Sequence, residues 1–268
     1  MVLAETDGSA YLATFSSLPG TWQEVALGLG DFLLMDSTQD ENQKLDPQQV
    51  AALGFGDVIF LLDTLAKSMP FIMAPDMGPR MLWLDDVRVS TEPVPPRWEV
   101  TQVDGKRAVR LDSFEGAPLQ WLTIAGAGVE VSYDREHASD GEFSLRMTYN
   151  LPEGKTFGAV TNPADAPLAG MKTLRMSMIS EAATTLLLEL KERDESKYHA
   201  SVQLTGGSQF QEVEVPLSDF GLADDSTDEN GALDIDRISE LLFADVSIVA
   251  GTPVTTNTLW MDDILFSE

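Results

Sequence analysis

The strongest constraint on the fold of this chain is that part of it is written twice. Residues 36–46 read DSTQDENQKLD and residues 225–234 read DSTDENGALD, and aligning these acidic stretches draws their neighbours into register. TWQEVALGLGDF (21–32) meets QFQEVEVPLSDF (209–220), and LDPQQVAALGFGDV (45–58) meets LDIDRISELLFADV (233–246), both at an offset of 188. Farther on, LWLDDV (82–87) meets LWMDDI (259–264); upstream, ETDGSAYLATF (5–15) faces ERDESKYHASV (192–202). Self-similarity over this length means one structural unit used twice. Residues 111–186 precede the matching region of the second copy and have no counterpart in the first. The first copy is therefore expected to be the C-terminal half of a domain. Its open edges and uncovered sheet face call for a partner or for further chain.

Between the copies, STEPVPPRWEVTQVDG (90–105) holds three prolines from Pro93 to Pro96. Proline lacks the amide donor that regular pairing needs, so the linker is placed here. The expected organisation is a partial copy over 1–90, a linker over 91–108 and a complete domain over 109–268.

The second copy is dominated by short alternating segments: EFSLRMTYNL (142–151), KTLRMSMIS (172–180), TTLLLELKE (184–192), YHASVQL (198–204) and FQEVEVPL (210–217). Strands of this length at regular spacing indicate an all-β fold, an antiparallel sandwich or barrel. In LRMTY, Leu145, Met147 and Tyr149 face one side and Arg146 and Thr148 the other. One exception stands out. In DIDRISELLF (234–243), Ile235, Ile238, Leu241 and Leu242 recur at helical spacing behind an Asp cap, which predicts a short helix or helical turn. Its first-copy counterpart DPQQVAALGF (46–55) starts with proline where helices accept it.

Composition narrows the partners. The net charge of −27 repels phosphate backbones and anionic lipid, so nucleic acid and membrane surfaces are poor partners while cations and neutral ligands remain. No apolar run is long enough to span a bilayer, and Met1–Glu5 lacks the pattern of a signal peptide. If the protein is exported, its signal lies outside this sequence. With no cysteine, disulfides and thiolate metal sites are excluded.

Taken together, RLDSFEG (110–116), Trp121, DGEFSLRMTY (140–149), FQEVEVPLSDF (210–220), GALDIDRISELLF (231–243) and LWMDDI (259–264) resemble the galactose-binding-like jelly-roll superfamily. Their order and spacing are similar to family 11 carbohydrate-binding modules and to the complex I intermediate-associated protein family. The resemblance covers 109–268 as a complete copy and about 3–90 as a C-terminal half. It implies a non-catalytic antiparallel β-sandwich with a structural calcium ion against its first and last strands. By position, Glu115 and Asp262 match the residue types that supply such ligands, with oxygens near Asp140 as helpers. The alternative is that Asp262 caps a strand end by hydrogen bonds.

In family 11 modules the glucan cleft is lined by tyrosines, an arginine and acidic groups. Here the corresponding loop GLADDSTDENG (221–231) has no aromatic residue and no arginine, and FADV with Asp245 stands where a further family tyrosine lies, a departure repeated at Asp57. Both changes weaken a glucan reading. Arg146, Tyr198, His199 and Trp260 are the remaining candidates for a carbohydrate surface, against the alternative that Trp260, like Trp83 in the first copy, serves packing. His137 and His199 lack the paired spacing of a zinc site.

The acidic loop fails as an EF-hand. Placing Ser226, Asp228 and Asn230 at the first, third and fifth positions puts Gly231 at the turn but Arg237 where a bidentate Glu is required. A looser cage from Asp224, Asp225, Asp228 and Asp234 is the alternative to a solvated turn. No G-x-S-x-G elbow or P-loop occurs, and GAGVEV (126–131) lacks the third glycine of a dinucleotide fingerprint. The chain is expected not to be an enzyme.

Two functions remain. One is a polysaccharide-binding module of a secreted or cell-surface protein. The other is an assembly protein whose sandwiches associate with themselves or with a neighbouring chain. LLDTLAKSMPFIMAPDMGPRM (61–81) favours the second, because it is longer than the matching VAGTPVTTNT (249–258) and rich in adaptable apolar residues. Met69, Phe71, Ile72, Met73 and Met77 form either an interface or a cover over the partial core.

Overall fold

The computed structural model describes all residues except 16–21, 23, 36, 69–76, 95–97, 116–120, 125–128, 153–154, 164–165, 249 and 252–253. The N-terminal part forms β1 (Val2–Glu5), β2 (Ala10–Leu12), β3 (Leu33–Leu34) and β4 (Val50–Gly54), then one helix, α1 (Ile59–Ser68). From Glu99 the described residues form strands joined by turns and short 3-10 helices. It runs through β5 (Glu99–Val103), β6 (Lys106–Asp112), β7 (Leu122–Ile124), β8 (Val129–Asp134), β9 (Ser144–Asn150), β10 (Phe157–Thr161) and β11 (Thr173–Ser180). It continues with β12 (Thr184–Glu192), β13 (Lys197–Leu204), β14 (Gln211–Pro216), β15 (Gly221–Leu222), β16 (Ile238–Asp245) and β17 (Thr256–Ser267).

Residues 99–267 make an antiparallel jelly-roll sandwich. One sheet has the order β15-β13-β12-β16-β10-β7. In the other, β14 and β11 lie on one side of the long β17, whose opposite side is shared by β6, followed by β5, and by β9, followed by β8. The alternation read in the sequence sorts residues between core and surface. Leu145, Met147 and Tyr149 of β9 and Leu186, Leu188 and Leu190 of β12 join one buried cluster with Trp121, Phe157, Phe243 and Phe266, while Arg146 is exposed. At about 1.5–3 kcal/mol for each fully buried large apolar side chain, this cluster is the main stabilising term.

The stretch expected to be a linker is shorter than 91–108. Glu99–Val103 and Lys106–Asp112 form a hairpin that joins the sheet through β17, and its turn is Asp104-Gly105 with φ of 53° and 77°. Asp-Gly is the pair that a tight two-residue hairpin with positive φ favours, and it outweighs the prolines upstream. Of the short helix or helical turn expected over 234–243, the structure keeps only the turn. Only Ile235–Arg237 form a 3-10 turn, and Ile238–Asp245 are a strand paired on both sides, with β12 and β10. Residues 46–55 likewise contain a turn and then β4 rather than a helix. Leu241, Phe243 and Asp245 point inward at strand spacing, and pairing on both edges overrides the local helical pattern.

The sheet order β3-β2-β1-β4 of the first part matches β15-β13-β12-β16 of the second. The ladder irregularity falls at equivalent places, Ala4/Glu5 opposite Ala52 and Val50, and Lys191/Glu192 opposite Glu240 and Ile238. The 3-10 turns Leu29–Asp31 and Leu217–Asp219 also coincide. The paths then part. Asp57 and Asp245 each accept a backbone N–H two residues on, from Ile59 and Ser247, but the first continues as α1. Residues 82–87 form no strand, whereas their counterparts 259–264 lie within β17.

Candidate functional site

The carbohydrate candidates do not converge. Arg146 and Trp260 are cross-strand partners on β9 and β17, and the guanidinium lies 5.9 Å from the indole ring. Trp260 Nε1 donates to Asp134 Oδ2 at 3.0 Å, and the His137 ring sits 4.6 Å from the indole. Although burial acts the other way, the hydrogen bonds from Trp260 and His137 hold the Asp134 carboxyl below its ordinary value. Trp260 is thus buried and occupied on several sides. Tyr198 and His199 lie on β13 in the opposite sheet. Tyr198 is in the core, its hydroxyl donating to Asp228 Oδ2 at 2.6 Å; burial, then Asp228, push its pKa up. His199 is half-buried, its Nε2 2.7 Å from Glu189 Oε2 on the outer face.

Asp245, at the family tyrosine's position, has a structural task. It accepts the Tyr149 hydroxyl at 2.5 Å, and Asn257 Nδ2 donates to the same hydroxyl at 3.1 Å.

The three residues expected to hold calcium do gather round one loop. Asp262 Oδ2 accepts Ser139 N at 2.7 Å, Ser139 Oγ at 2.9 Å and Asp140 N at 3.1 Å, while its Oδ1 accepts Asp263 N at 2.8 Å. Glu115 Oε1 accepts Glu142 N and Phe143 N at 2.8 and 2.7 Å. Gly141, at φ 68°, lets Glu115 approach, because a Cβ there would stand 2.4 Å from its carboxyl. Asp140 pairs with Arg110 at 3.1 Å, and Arg110 Nε lies 2.7 Å from Asp263 Oδ1. This set does not fit a calcium ion. No buried oxygen of Glu115, Asp140 or Asp262 is left without a hydrogen-bond partner for an ion to supply, and the Arg110 guanidinium already stands against Asp140. The carboxylates work as latches that tie the 137–143 loop to the last strand by charge-assisted hydrogen bonds.

Behind this loop lies Asp112, whose oxygens accept Phe114 N at 2.8 Å and Trp121 Nε1 at 3.1 Å. Burial pushes its pKa up to about 6, the two hydrogen bonds pull the other way, and the Asp262 carboxylate adds to the rise. Nothing in the sequence marked Asp112, because its burial and the nearness of Asp262 arise only in the folded chain. Of the apolar interface candidates, Met69, Phe71, Ile72 and Met73 lie outside the described residues; Met77 is exposed.

The sequence matches no family model and no curated protein. Solved structures do resemble it. A family 11 carbohydrate-binding module of the cellulosomal cellulase Lic26A-Cel5E of Clostridium thermocellum is 19% identical, with a TM-score of 0.45, over 59% of this chain and 92% of that one. A family 30 module of the cellulosomal cellulase Cel9D-Cel44B of Clostridium thermocellum is 16% identical, with a TM-score of 0.42, over 59% and 96%. The module TmCBM61, solved with β-1,4-galactotriose, is 17% identical, with a TM-score of 0.34, over 55% and 88%. At these values the likeness says nothing of what this chain binds.

Proposed function

We propose that this protein is non-catalytic and acts by assembly, its first copy associating with a neighbouring chain, in the simplest case a second copy of itself, in a secreted or cell-surface complex. The observation that carries this is one sequence in two environments. In LWMDDI (259–264) of β17, Leu259, Met261 and Ile264 are fully buried and Trp260 is 6% exposed, between strands on both sides. In LWLDDV (82–87), Leu82, Leu84 and Val87 are exposed and Trp83 is 70% exposed. Among the described residues, fifteen of the sixteen exposed large hydrophobic side chains lie at or before Val100. Exposed apolar surface of this extent marks an association site, and an unpaired segment of strand-forming sequence is open to strand addition. Sedimentation of the purified chain is expected to show reversible association, abolished by the double substitution Trp83→Asp and Leu84→Asp with the C-terminal sandwich still folded. A wild-type chain that stays monomeric up to about 1 mM, where even a 4 kcal/mol interface would register, removes the proposal.

A second reading, polysaccharide binding by the C-terminal sandwich, is favoured by one observation. The outer face of the six-stranded sheet carries the His199–Glu189 pair beside Lys191 and Ser201, a carboxylate and an imidazole suited to the hydroxyls of a sugar. Glu189→Ala and His199→Ala are expected to abolish retention on a polysaccharide affinity gel without changing stability. Retention by both variants rejects this face. Tyr198→Ala and Trp260→Ala are poor probes, since each removes buried packing.

A further inference from the structure

Two carboxylate clusters occupy equivalent places in the two copies. At the end of β12 and in the turn to β13, Glu192 and Asp194 meet Asp228 from the acidic loop, one carboxylate oxygen of each lying within 4.8 Å of the others. In the first copy Glu5, Asp7 and Asp40 do the same. Most supporting contacts repeat, but Glu5 Oε2 accepts Ser9 Oγ at 2.7 Å where Glu192 Oε2 accepts nothing. Glu192 Oε1 accepts Asp234 N at 2.6 Å, and Glu5 Oε1 accepts Asp46 N. Tyr198 donates its hydroxyl to Asp228, and Tyr11 to Asp40. Asp194 Oδ1 accepts Ser196 Oγ at 2.7 Å, and Asp7 Oδ1 accepts Ser9 Oγ at 2.8 Å.

An acidic cluster alone is a common surface feature. The independent observation is Glu192. It is 0% exposed, and its Oε2 is buried with no hydrogen-bond partner. Burial, with Asp234, Asp194 and Asp228 adding to it, pushes its pKa up. Leaving an ionised oxygen unpaired in the interior costs on the order of 1–3 kcal/mol or more, and two further carboxylates beside it raise that cost. The charges facing the cluster are Asp234 and Arg237, whose guanidinium is 2.8 Å from Asp194 Oδ2 and 3.5 Å from Asp234 Oδ2. That arginine leaves Glu192 Oε2 without a partner. In the first copy its place is taken by Gln49, an uncharged side chain that donates to Asp46 at 3.1 Å.

We propose that Glu192, Asp194 and Asp228 hold a divalent cation of the calcium type. The donors are hard carboxylate oxygens. That excludes a thiolate or imidazole metal and suits an ion that takes six to eight oxygens in flexible geometry, with loop carbonyls and water completing the shell. The ion would tie the β12–β13 turn to the acidic loop and neutralise the buried Glu192.

The test is calcium titration calorimetry on the full, chelator-treated chain, paired with terbium luminescence excited in the tyrosine band, since Tyr198 bonds a proposed ligand. Asp228→Asn is expected to remove the one equivalent of calcium, and Tyr198→Phe to cut the sensitised emission. Asp194→Asn, an exposed side chain, repeats the loss should Asp228→Asn fail to fold. Glu115→Gln is expected to retain it. The proposal is overturned by wild-type chain that binds no calcium up to about 10 mM, ten times the weak end of natural sites. It is equally overturned by full stoichiometry in the variants, or by loss confined to Glu115→Gln.

Discussion

Phe243→Ala is expected to destabilise the C-terminal sandwich by about 3–5 kcal/mol, a large part of the 5–15 kcal/mol by which such domains are stable. Phe243 is buried in the middle of β16, its ring 5.4 Å from that of Trp121, with β12 and β10 paired on either side. The ring lies within the main buried cluster, and a site clamped by two ladders cannot collapse around the void. Its neighbour Leu242 points to the outer face and is half-buried, so Leu242→Ala is expected to cost about 1 kcal/mol. The contrast tests the strand itself, because a helix over 234–243 would place Leu241 and Leu242 side by side on one apolar face. Urea unfolding measures both; equal losses at 242 and 243 would contradict the strand.

The second expectation concerns pH. The folded pKa of Asp112 is about 6, above its ordinary 3.8. A carboxyl whose pKa is raised on folding contributes stability that is fully present below the unfolded value and is lost as pH rises through the folded one. Between about pH 4 and pH 6, therefore, wild-type protein loses about 2–3 kcal/mol from this group, at 1.36 kcal/mol for each pKa unit. Asp40, Asp134, Asp194 and Asp228 are shifted the other way and work against the trend. The informative quantity is consequently the difference between wild type and Asp112→Asn. The variant is expected to be the more stable at pH 7 and to lose that advantage by pH 4, because asparagine keeps an oxygen for the Phe114 and Trp121 donors without the charge. A difference that does not vary with pH would show Asp112 to be ionised freely in the fold.

Much of the architecture was legible in the chain. Alternation in 144–150 and 184–192 identified the strands and their inward residues, since a strand with one face in a core must repeat every second position. The matching stretches 188 residues apart mark related segments, whose shared sheet order only the structure shows. The hairpin at 99–112 is announced by Asp104-Gly105, but the prolines before it point to a linker. The site was less legible. Tyr198 and Trp260 are aromatic side chains, and such residues serve packing and binding alike. Glu115, Asp140 and Asp262 were brought to one loop, but the N–H groups that fill their oxygens belong to a backbone whose path no side-chain pattern encodes.

By itself the sequence determined that this protein is a β-sandwich with part of its pattern repeated, because side-chain period and self-similarity are local properties of a chain. Only the tertiary structure decided that residues 238–245 are a strand, because pairing on both edges supplies what the local helical spacing cannot. It also decided that Glu192 and Asp228, far apart in sequence, meet in one cluster with Asp194 in which Glu192 alone is buried, because burial and proximity exist only once the loop has folded back onto the turn.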